Sequence, residues 1–189
     1  SLGGTGSNIF DVNASSSNTT DWQHVVLTWS GTDYARIFIN GTQSAENTDI
    51  SSGTLTLQSG DSFNIGKRYS GGNYFPREID ETAIWNKALT SSEITALYNS
   101  GSGLDASSNS GNYTSSSNLL AYWKMDEGTG TSVADASSNS NTGTINGATW
   151  STDSPISGGS KSDYASGTGT TTLTFNYTVA SGHTSSDLD

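Results

Sequence analysis

The sequence contains no cysteine, few prolines and few charged residues. Without cysteine the chain can form no disulfide, and thiol catalysis and a cysteine-based zinc site are both excluded. Only 13% of the 189 residues are charged, whereas an average globular domain has roughly 25%. With 2 prolines against 22 glycines, the turns depend mainly on Gly, Asn and Ser. Solubility must therefore come from uncharged polar residues in the loops.

The chain also lacks long apolar runs, and its charge is mostly of one sign. No stretch approaches the roughly 20 apolar residues of a membrane span, so no membrane insertion is predicted. The net charge of -11 and the isoelectric point near 4.2 would repel nucleic-acid phosphates. The first residues have neither the basic nor the apolar part of a signal peptide, and no initiating Met. This start indicates mature processing or excision from a longer chain, and the acidic composition suits an extracellular surface.

Alternation of apolar and polar residues predicts strands along most of the chain. The clearest alternation is in YARIFING, which ends in Asn40-Gly41; this dipeptide favours a two-residue hairpin because both positions tolerate positive φ. The predicted strands are 22–29, 34–41, 54–58, 62–68, 77–85, 119–126, 143–150 and 171–179. The pattern predicts an all-β fold.

One helix is predicted near 91–99. Thr90 can cap its N-terminus while Glu93 reaches back to the Thr90 amide, which is the capping-box pattern. Leu89 and Ile94 are spaced as a hydrophobic staple, and Gly101 can end the helix in a left-handed conformation.

Two stretches of the chain carry motifs more specific than alternation. The first is DWQHVVLTWSGTDYARIFINGTQ, followed by FNIGKR and EIDETAIWNKALTSSEITALYNSG; the second is LLAYWKMDEGTGTSVADASSNSNTGTINGATW. Residues 22–101 resemble the second half of a laminin G-like, or concanavalin A-like, jelly-roll domain, and 119–150 resembles the opening of the same domain. The resemblance implies an antiparallel jelly-roll β-sandwich with one short helix.

The order of these motifs, back half before front half, leaves the domain organisation open. The opening strands either pack on the first part of the chain, as in a circularly permuted sandwich, or begin a second domain. Unpaired sheet edges would be a liability, which favours the first alternative. The end of the chain resembles, more vaguely, part of an immunoglobulin-like or cadherin-like module. The predicted parts are a laminin G-like sandwich at 1–101, a Ser/Gly/Asn-rich linker or loop at 102–118, opening strands at 119–152 and a partial β segment at 153–189.

The hexapeptide DASSNS occurs at Asp105–Ser110 and again at Asp135–Ser140. A six-residue match is too short for an architectural repeat, which needs about twenty residues. Alternating oxygen-bearing side chains in the second copy are typical of a calcium loop, and in similar domains an acidic residue of the Ile-Asp-Glu strand lies near this loop. The predicted calcium ligands are Asp135, Ser137, Asn139, Asn141 and Asp80. The alternative is a turn in which the side chains bond their own backbone; for Asp105 and Asn109 a turn or a disordered loop is favoured.

The segment EIDET superficially resembles the Glu-x-Asp-x-Glu strand of laminarinase-like glycoside hydrolases, which share the concanavalin A-like fold. That chemistry needs two carboxylates on one face of a strand, about 5–5.5 Å apart. Alternation would place Glu78, Asp80 and Thr82 on one face and Glu81 on the other. Because residue 82 is Thr, the second carboxylate is missing, and the chain is predicted not to be an enzyme.

The loop YSGGNYFPR at 69–77 is the candidate carbohydrate-binding surface. Rings beside a Gly-Gly turn are hard to bury, and exposed rings stack on the apolar faces of sugars while polar side chains supply hydrogen bonds. The candidate residues are Tyr69, Asn73, Tyr74, Phe75 and Arg77. The alternative is that Tyr74 and Phe75 fold back onto the edge of the sandwich.

Together these features predict a non-enzymatic extracellular module, secreted or on a cell or virion surface, for carbohydrate binding or adhesion within a larger multidomain protein. The expected partners are a glycan or cell-surface polysaccharide and the neighbouring domains, with calcium as the candidate cofactor. The alternative is a structural spacer or fibre module of a bacterial surface protein or virion, without sugar binding. Ser/Thr/Gly-rich linkers and partial neighbouring modules favour that alternative.

Overall fold

The computed structural model covers most of the central part of the chain. Described are residues 21–50, 63–67 and 74–153, together with the backbone of four short strands outside these ranges. The chain divides into two compact units, Ser1–Ile156 and Ser157–Asp189. In the described part of the chain, no helix has the length and apolar content needed to cross a membrane.

The described part of the first unit contains antiparallel strands, one short α-helix and two 3₁₀ helices, Asn99–Gly101 and Ser116–Asn118. The strands are β1 (Gly3–Gly4), β2 (Ser7–Asn8), β3 (Val25–Trp29), β4 (Ala35–Ile39), β5 (Thr42–Asn47), β6 (Thr82–Trp85), β7 (Leu119–Trp123), β8 (Ser132–Val133) and β9 (Gly143–Thr144). They pair as β1–β2, β3–β4–β5, β6–β7 and β8–β9. Helix α1 (Ser91–Tyr98) lies between β6 and β7 in the sequence. The predicted all-β class with one short helix is confirmed.

The second unit contains one antiparallel strand pair in its described residues. β10 (Asp163–Ser166) pairs with β11 (Thr174–Asn176). β11 lies within the strand predicted at 171–179. The strand predicted at 54–58 lies outside the described residues.

The β3–β4–β5 sheet is built on the predicted hairpin. Val26 lies opposite Phe38, and both side chains are buried. The turn after β4 consists of Asn40 and Gly41, whose φ angles of 50° and 76° suit the twist of a two-residue hairpin. A Cβ on residue 41 would lie 3.0 Å from the ring of Tyr98, so this glycine also allows α1 to approach the sheet.

The N-terminus of α1 is capped as predicted. The Glu93 amide donates to Thr90 Oγ1 at 3.2 Å, and the Thr90 amide donates to Glu93 Oε2 at 2.9 Å. Ile94 and Leu97 are buried in the core. The helix ends one residue earlier than predicted, because Asn99 already has a left-handed φ of 46°.

Glu93 is a buried carboxylate, only 3% exposed, whose charge is offset by several groups. Besides Thr90, the Ser115 hydroxyl donates to it, and Lys87 Nζ lies 3.5 Å from its Oε2. Burial alone would raise the pKa of Glu93. The hydrogen bonds from Ser115 and Thr90 and the charge of Lys87 together outweigh burial and lower the pKa to about 2. Glu93 is therefore ionised at neutral pH and fastens the loop before β7 to the helix.

β6 and β7 form an antiparallel pair in which Thr82 lies opposite Trp123. The residues predicted to open a domain thus supply the partner strand of β6. Both strands belong to the first unit. Strand β7 thus packs on the preceding part of the chain, and the predicted division into domains stays a prediction.

The loop between α1 and β7 contributes to the core. Tyr113 is fully buried, and Ala106 is 3% exposed. Trp85 Nε1 donates to the Tyr113 hydroxyl at 2.9 Å, and that hydroxyl donates to the Ala106 carbonyl at 2.8 Å. Buried tyrosine and tryptophan side chains need such partners for their polar atoms. The predicted linker or surface loop is therefore an ordered loop with a buried anchor.

The strand predicted at 77–85 begins only at Thr82. Glu81 has a left-handed φ of 52°, which interrupts the extended backbone. The strand alternation that placed Glu78 and Asp80 on the face of Thr82 was therefore wrong.

Two other predicted strands are shortened at glycines. Of the strand predicted at 62–68, the described residues form only an isolated bridge at Lys67, because Gly66 turns the chain with φ 73°. The strand predicted at 143–150 is reduced to β9, and Gly147 has φ 82° in the turn that follows.

Candidate functional site

The aromatic loop consists of Phe63–Lys67 and Tyr74–Arg77, which lie side by side. An antiparallel bridge joins Lys67 and Tyr74. The Phe75 amide donates to a carbonyl of the first segment at 2.8 Å. The backbone of this surface is therefore held by two contacts between its segments.

Three aromatic side chains of the loop are exposed. Their exposed fractions are 61% for Phe63, 65% for Tyr74 and 54% for Phe75. Tyr74 and Phe75 do not fold back onto the sandwich edge, which was the alternative for this loop. Exposed apolar side chains on adjacent segments are typical of a binding surface.

Phe63 is anchored although it is exposed. Its ring stacks on that of Trp123, with 5.9 Å between the centroids and 14° between the planes. Trp123 is buried in a cluster with Ala121 and Val133. One face of the Phe63 ring is therefore fixed against the core, and the rest is open to a ligand.

The structure places part of the predicted sugar site on this surface. Tyr74, Phe75 and Arg77 are exposed members of the aromatic loop. Tyr69 and Asn73 lie outside the described residues.

The sequence reasoning missed Phe63 and Lys67 as members of the site. Both were assigned to a strand, where they would have been structural. Gly66 is the signal that could have found them, since a glycine inside a strand pattern often marks a turn or bulge.

The residues predicted as calcium ligands after β8 lie together and bond to protein groups. Asp135 Oδ1 accepts hydrogen bonds from the Tyr122 and Ser137 amides, both at 2.8 Å. Asp135 Oδ2 accepts the Ser137 hydroxyl at 2.8 Å and the Asn141 amide at 2.7 Å. Each carboxylate oxygen thus holds two hydrogen bonds. This is the turn that was the alternative to a calcium loop.

Asn139 and Asn141 fasten this turn to β7. Asn139 Nδ2 donates to the carbonyls of Leu119 and Leu120 at 3.0 and 3.1 Å. Asn141 Nδ2 donates to the Leu120 carbonyl at 2.8 Å. Both side chains therefore act as donors towards the strand, whereas a calcium ion would bind their oxygens.

Asp80, the fifth predicted ligand, lies just before β6, and its carboxylate accepts the Glu81 amide at 3.1 Å. Among the residues that the structure describes, no three carboxylate, imidazole or thiol groups cluster closely enough to hold a metal ion. A calcium ion at the Asp135 turn would therefore depend on neutral oxygens for most of its ligands. The calcium site stays a prediction.

Glu81 is a titratable group whose role the sequence did not reveal. The Tyr122 hydroxyl donates to its carboxylate across the β6–β7 pair. Burial raises the pKa of Glu81 to about 7; the hydrogen bond from Tyr122 opposes the rise, and the charges of Asp80 and Asp126 add to it. The backbone of Glu81 is left-handed, which alternation does not predict. The assignment of Glu81 to the strand face opposite Glu78 and Asp80 therefore does not hold.

Comparison with known proteins gives a family match. The family model that describes the concanavalin A-like lectin/glucanases superfamily matches residues 1–95. A comparison with curated proteins finds no match.

Two solved structures are similar to the chain. One is a segment of an S-layer domain-containing protein from Clostridium thermocellum, 29% identical over 45% of this chain and 43% of that chain, with a TM-score of 0.36. The other is a protein from Bacteroides ovatus assigned provisionally to carbohydrate binding, 21% identical over 70% of this chain and 39% of that chain, with a TM-score of 0.48. The chain therefore spans less than half of each. Both TM-scores are too low to support an inference about function.

Proposed function

Because the chain belongs to the concanavalin A-like lectin/glucanases superfamily, we propose that it is a carbohydrate-binding module without enzymatic activity, whose ligand contacts the aromatic loop. The observation that carries the proposal is the exposure of Phe63, Tyr74 and Phe75, each more than half accessible. Apolar faces of sugar rings stack on such side chains, and removing both surfaces from water favours binding.

The aromatic loop is also held in a fixed conformation, which favours binding. Phe63 is held by its stacking on Trp123, and the backbone at Tyr74 and Phe75 is held by the bridge to the neighbouring segment. A surface that is ordered before the ligand arrives loses less conformational freedom on binding. The rings are therefore presented in nearly the arrangement that a ligand would meet.

Binding without hydrolysis is supported by Thr82, which stands where a laminarinase-like Glu-x-Asp-x-Glu strand has its second glutamate. A retaining glycosidase needs two carboxyl groups about 5–5.5 Å apart as nucleophile and acid/base. Of that pattern, this chain supplies the first glutamate, Glu78, whose carboxylate accepts the Ser151 hydroxyl.

We propose an extracellular location for the module, as part of a longer multidomain protein. The acidic, cysteine-free composition and the lectin-containing superfamily support this location. The expected partners are a cell-surface polysaccharide and the neighbouring domains of the chain.

We also propose that calcium binds weakly at the Asp135 turn. The cation would share the two carboxylate oxygens with four hydrogen-bond donors. With one carboxylate and neutral oxygens, a dissociation constant on the order of 10⁻⁴–10⁻³ M is expected.

Affinity electrophoresis against a panel of plant, fungal and bacterial polysaccharides tests the proposed function. The parent chain should be retarded by at least one of them. The double variant Tyr74→Ala/Phe75→Ala should lose about tenfold or more of that affinity, which is about 1.4 kcal/mol. Val25→Ala, which shortens another exposed apolar side chain on β3, is the matched control and should bind like the parent.

Three outcomes would contradict the proposal. Absence of retardation by every polysaccharide would favour the spacer or fibre alternative. Retention of affinity in the double variant would place the ligand elsewhere. Release of reducing ends that Glu78→Gln or Glu81→Gln abolishes would identify a hydrolase.

A further inference from the structure

The aromatic loop is the basic part of an acidic chain. The whole chain has 7 lysines and arginines and a net charge of -11. Three of the seven, Lys67, Arg68 and Arg77, fall within residues 62–77, a stretch that contains no Asp or Glu. Positive charge is therefore concentrated where the exposed rings are.

The two described cations of the loop differ from the other described cations in having no carboxylate partner among the described residues. The ion pairs in the described part of the chain are Arg36–Glu46 at 2.8 Å, Lys87–Glu93 at 3.5 Å and Lys124–Asp105 at 2.6 Å. Among the described residues, Lys67 and Arg77 are the cations with no carboxylate oxygen within 4.0 Å. Both side chains are exposed. Charge that no described carboxylate neutralises is available to a ligand.

From this arrangement, and given the proposed function, we infer that the ligand is an acidic polysaccharide whose uronic-acid carboxylates meet Lys67 and Arg77. Lys67 Nζ lies 6.0 Å from the centroid of the Tyr74 ring, and Arg77 follows Phe75 by two residues. A uronic acid carries its carboxylate at the edge of the sugar ring. A sugar that stacks on Tyr74 or Phe75 therefore presents this group to a neighbouring cation, and the guanidinium of Arg77 matches a carboxylate with two parallel hydrogen bonds.

The net negative charge of the protein does not prevent such binding. Charges separated by more than about 8 Å are largely screened at physiological ionic strength, so the nearest groups decide. The stretch 62–77 is flanked in the sequence by Asp61 and Glu78, so its three cations outnumber the two adjoining carboxylates. The local balance at the rings is thus positive.

Binding to polygalacturonate and to its methyl ester separates charge from stacking, because the two polymers share one backbone. The full chain should bind polygalacturonate more tightly than the ester. Lys67→Gln/Arg77→Gln should weaken polygalacturonate binding about 3- to 30-fold, as expected for two exposed charge contacts, and leave binding of the ester unchanged. Arg36→Gln/Lys87→Gln removes the same amount of charge from paired positions, and should bind polygalacturonate like the parent.

Several results would overturn the inference. Equal affinity for polygalacturonate and its ester would leave a neutral glycan as the ligand, and the proposed function would stand without the charge. Binding of dextran sulfate but not of polygalacturonate would assign sulfate instead of carboxylate. A dimer in light scattering that disappears in Lys67→Gln/Arg77→Gln would identify a second acidic copy of the chain as the occupant. No binding to any polysaccharide would remove the proposed function and this inference together.

Discussion

Two copies of the hexapeptide Asp-Ala-Ser-Ser-Asn-Ser lie in the first unit, at Asp105–Ser110 (the first copy) and Asp135–Ser140 (the second copy). In each copy, the aspartate Oδ1 accepts the amide of the serine two residues later at 2.8 Å. The hydroxyl of the same serine also donates to the aspartate. One short sequence thus forms one local turn in two different places.

The two copies differ in what supports the turn from outside. Asp105 Oδ2 contacts Lys124 Nζ at 2.6 Å, with the two side chains 44% and 34% exposed. Asp135 instead accepts the amides of Tyr122 and Asn141. Outside the turn itself, the aspartate of the first copy has an ion pair that water screens, whereas the aspartate of the second copy accepts backbone amides of the fold. The difference teaches that the hexapeptide determines the turn, while distant residues determine how much the turn contributes to stability.

Removal of the aspartate from each copy should produce the largest effect. In Asp135→Ala, the amides of Tyr122, Ser137 and Asn141 lose their acceptor, and at about 1 kcal/mol for each the free energy of unfolding should fall by about 3 kcal/mol. Asp105→Ala removes one such acceptor and an exposed ion pair, so about 1 kcal/mol is expected. Urea denaturation followed by tryptophan fluorescence measures both losses.

Equal losses in the two aspartate variants would break the comparison. The denaturant slopes should match that of the parent, since a changed slope would mean a changed unfolded or folded ensemble instead of a lost contact.

The alanine of the hexapeptide offers a second matched pair. Ala106 is buried beside Tyr113, whereas Ala136 is exposed. Ala106→Leu overpacks the core and should cost about 2 kcal/mol. Ala136→Leu should stay within about 0.5 kcal/mol of the parent. If Ala106→Leu left the free energy of unfolding unchanged in the same urea experiment, the core around Tyr113 would be loosely packed.

What the sequence could predict follows the distance along the chain over which each interaction acts. The hairpin at Asn40 and Gly41 and the capping box of Thr90 and Glu93 involve close neighbours, and both were predicted. Stacking of Phe63 on a residue of β7 joins positions far apart in the chain, and alternation carries no information about it.

The candidate site was predicted in part for the same reason. Tyr74 and Phe75 could be found because a Gly-Gly turn beside rings is a local signal. That Lys67 and Arg77 lack a described carboxylate partner could not be predicted, because it depends on where distant carboxylates lie in the folded protein. The inward side chain of Glu81 could not be predicted either, since one left-handed residue reverses the alternation.

A smaller effect on the second copy should appear in acid. Burial alone would raise the pKa of Asp135. The hydrogen bonds from Tyr122, Asn141 and Ser137 outweigh burial and hold the pKa below its usual range. An unfolded aspartate has a pKa of about 3.9, so this stabilisation is present above about pH 4 and is lost as the pH falls through the folded value.

Asp135→Asn removes that titration and should make the free energy of unfolding depend less steeply on pH between about pH 5 and pH 2. Glu93, with a pKa of about 2, contributes equally to the parent and the variant and cancels in the difference. Parallel pH curves from urea titrations would show that the four hydrogen bonds do not favour the charged carboxylate.

Calcium should produce the smallest effect, and on one copy alone. For the weak site proposed at the Asp135 turn, 1 mM calcium should raise the free energy of unfolding by about 0.4–1.4 kcal/mol. The increase should persist in Asp105→Ala and disappear in Asp135→Ala. Urea titrations with calcium and with a chelator measure it, and an unchanged midpoint would remove calcium from the second copy.

The pairing of β6 with β7 determines where a recombinant fragment of this chain can be cut without losing part of its core. The family match ends at residue 95, so a recombinant piece cut to that match would stop before β7. Such a piece would lack Tyr113, Leu119 and Tyr122, all buried in the core, and would leave the Trp85 indole without its acceptor. Its exposed strand edge would invite aggregation. A fragment intended for transplantation or crystallisation should therefore extend through Trp150, well past the boundary that sequence similarity alone would suggest.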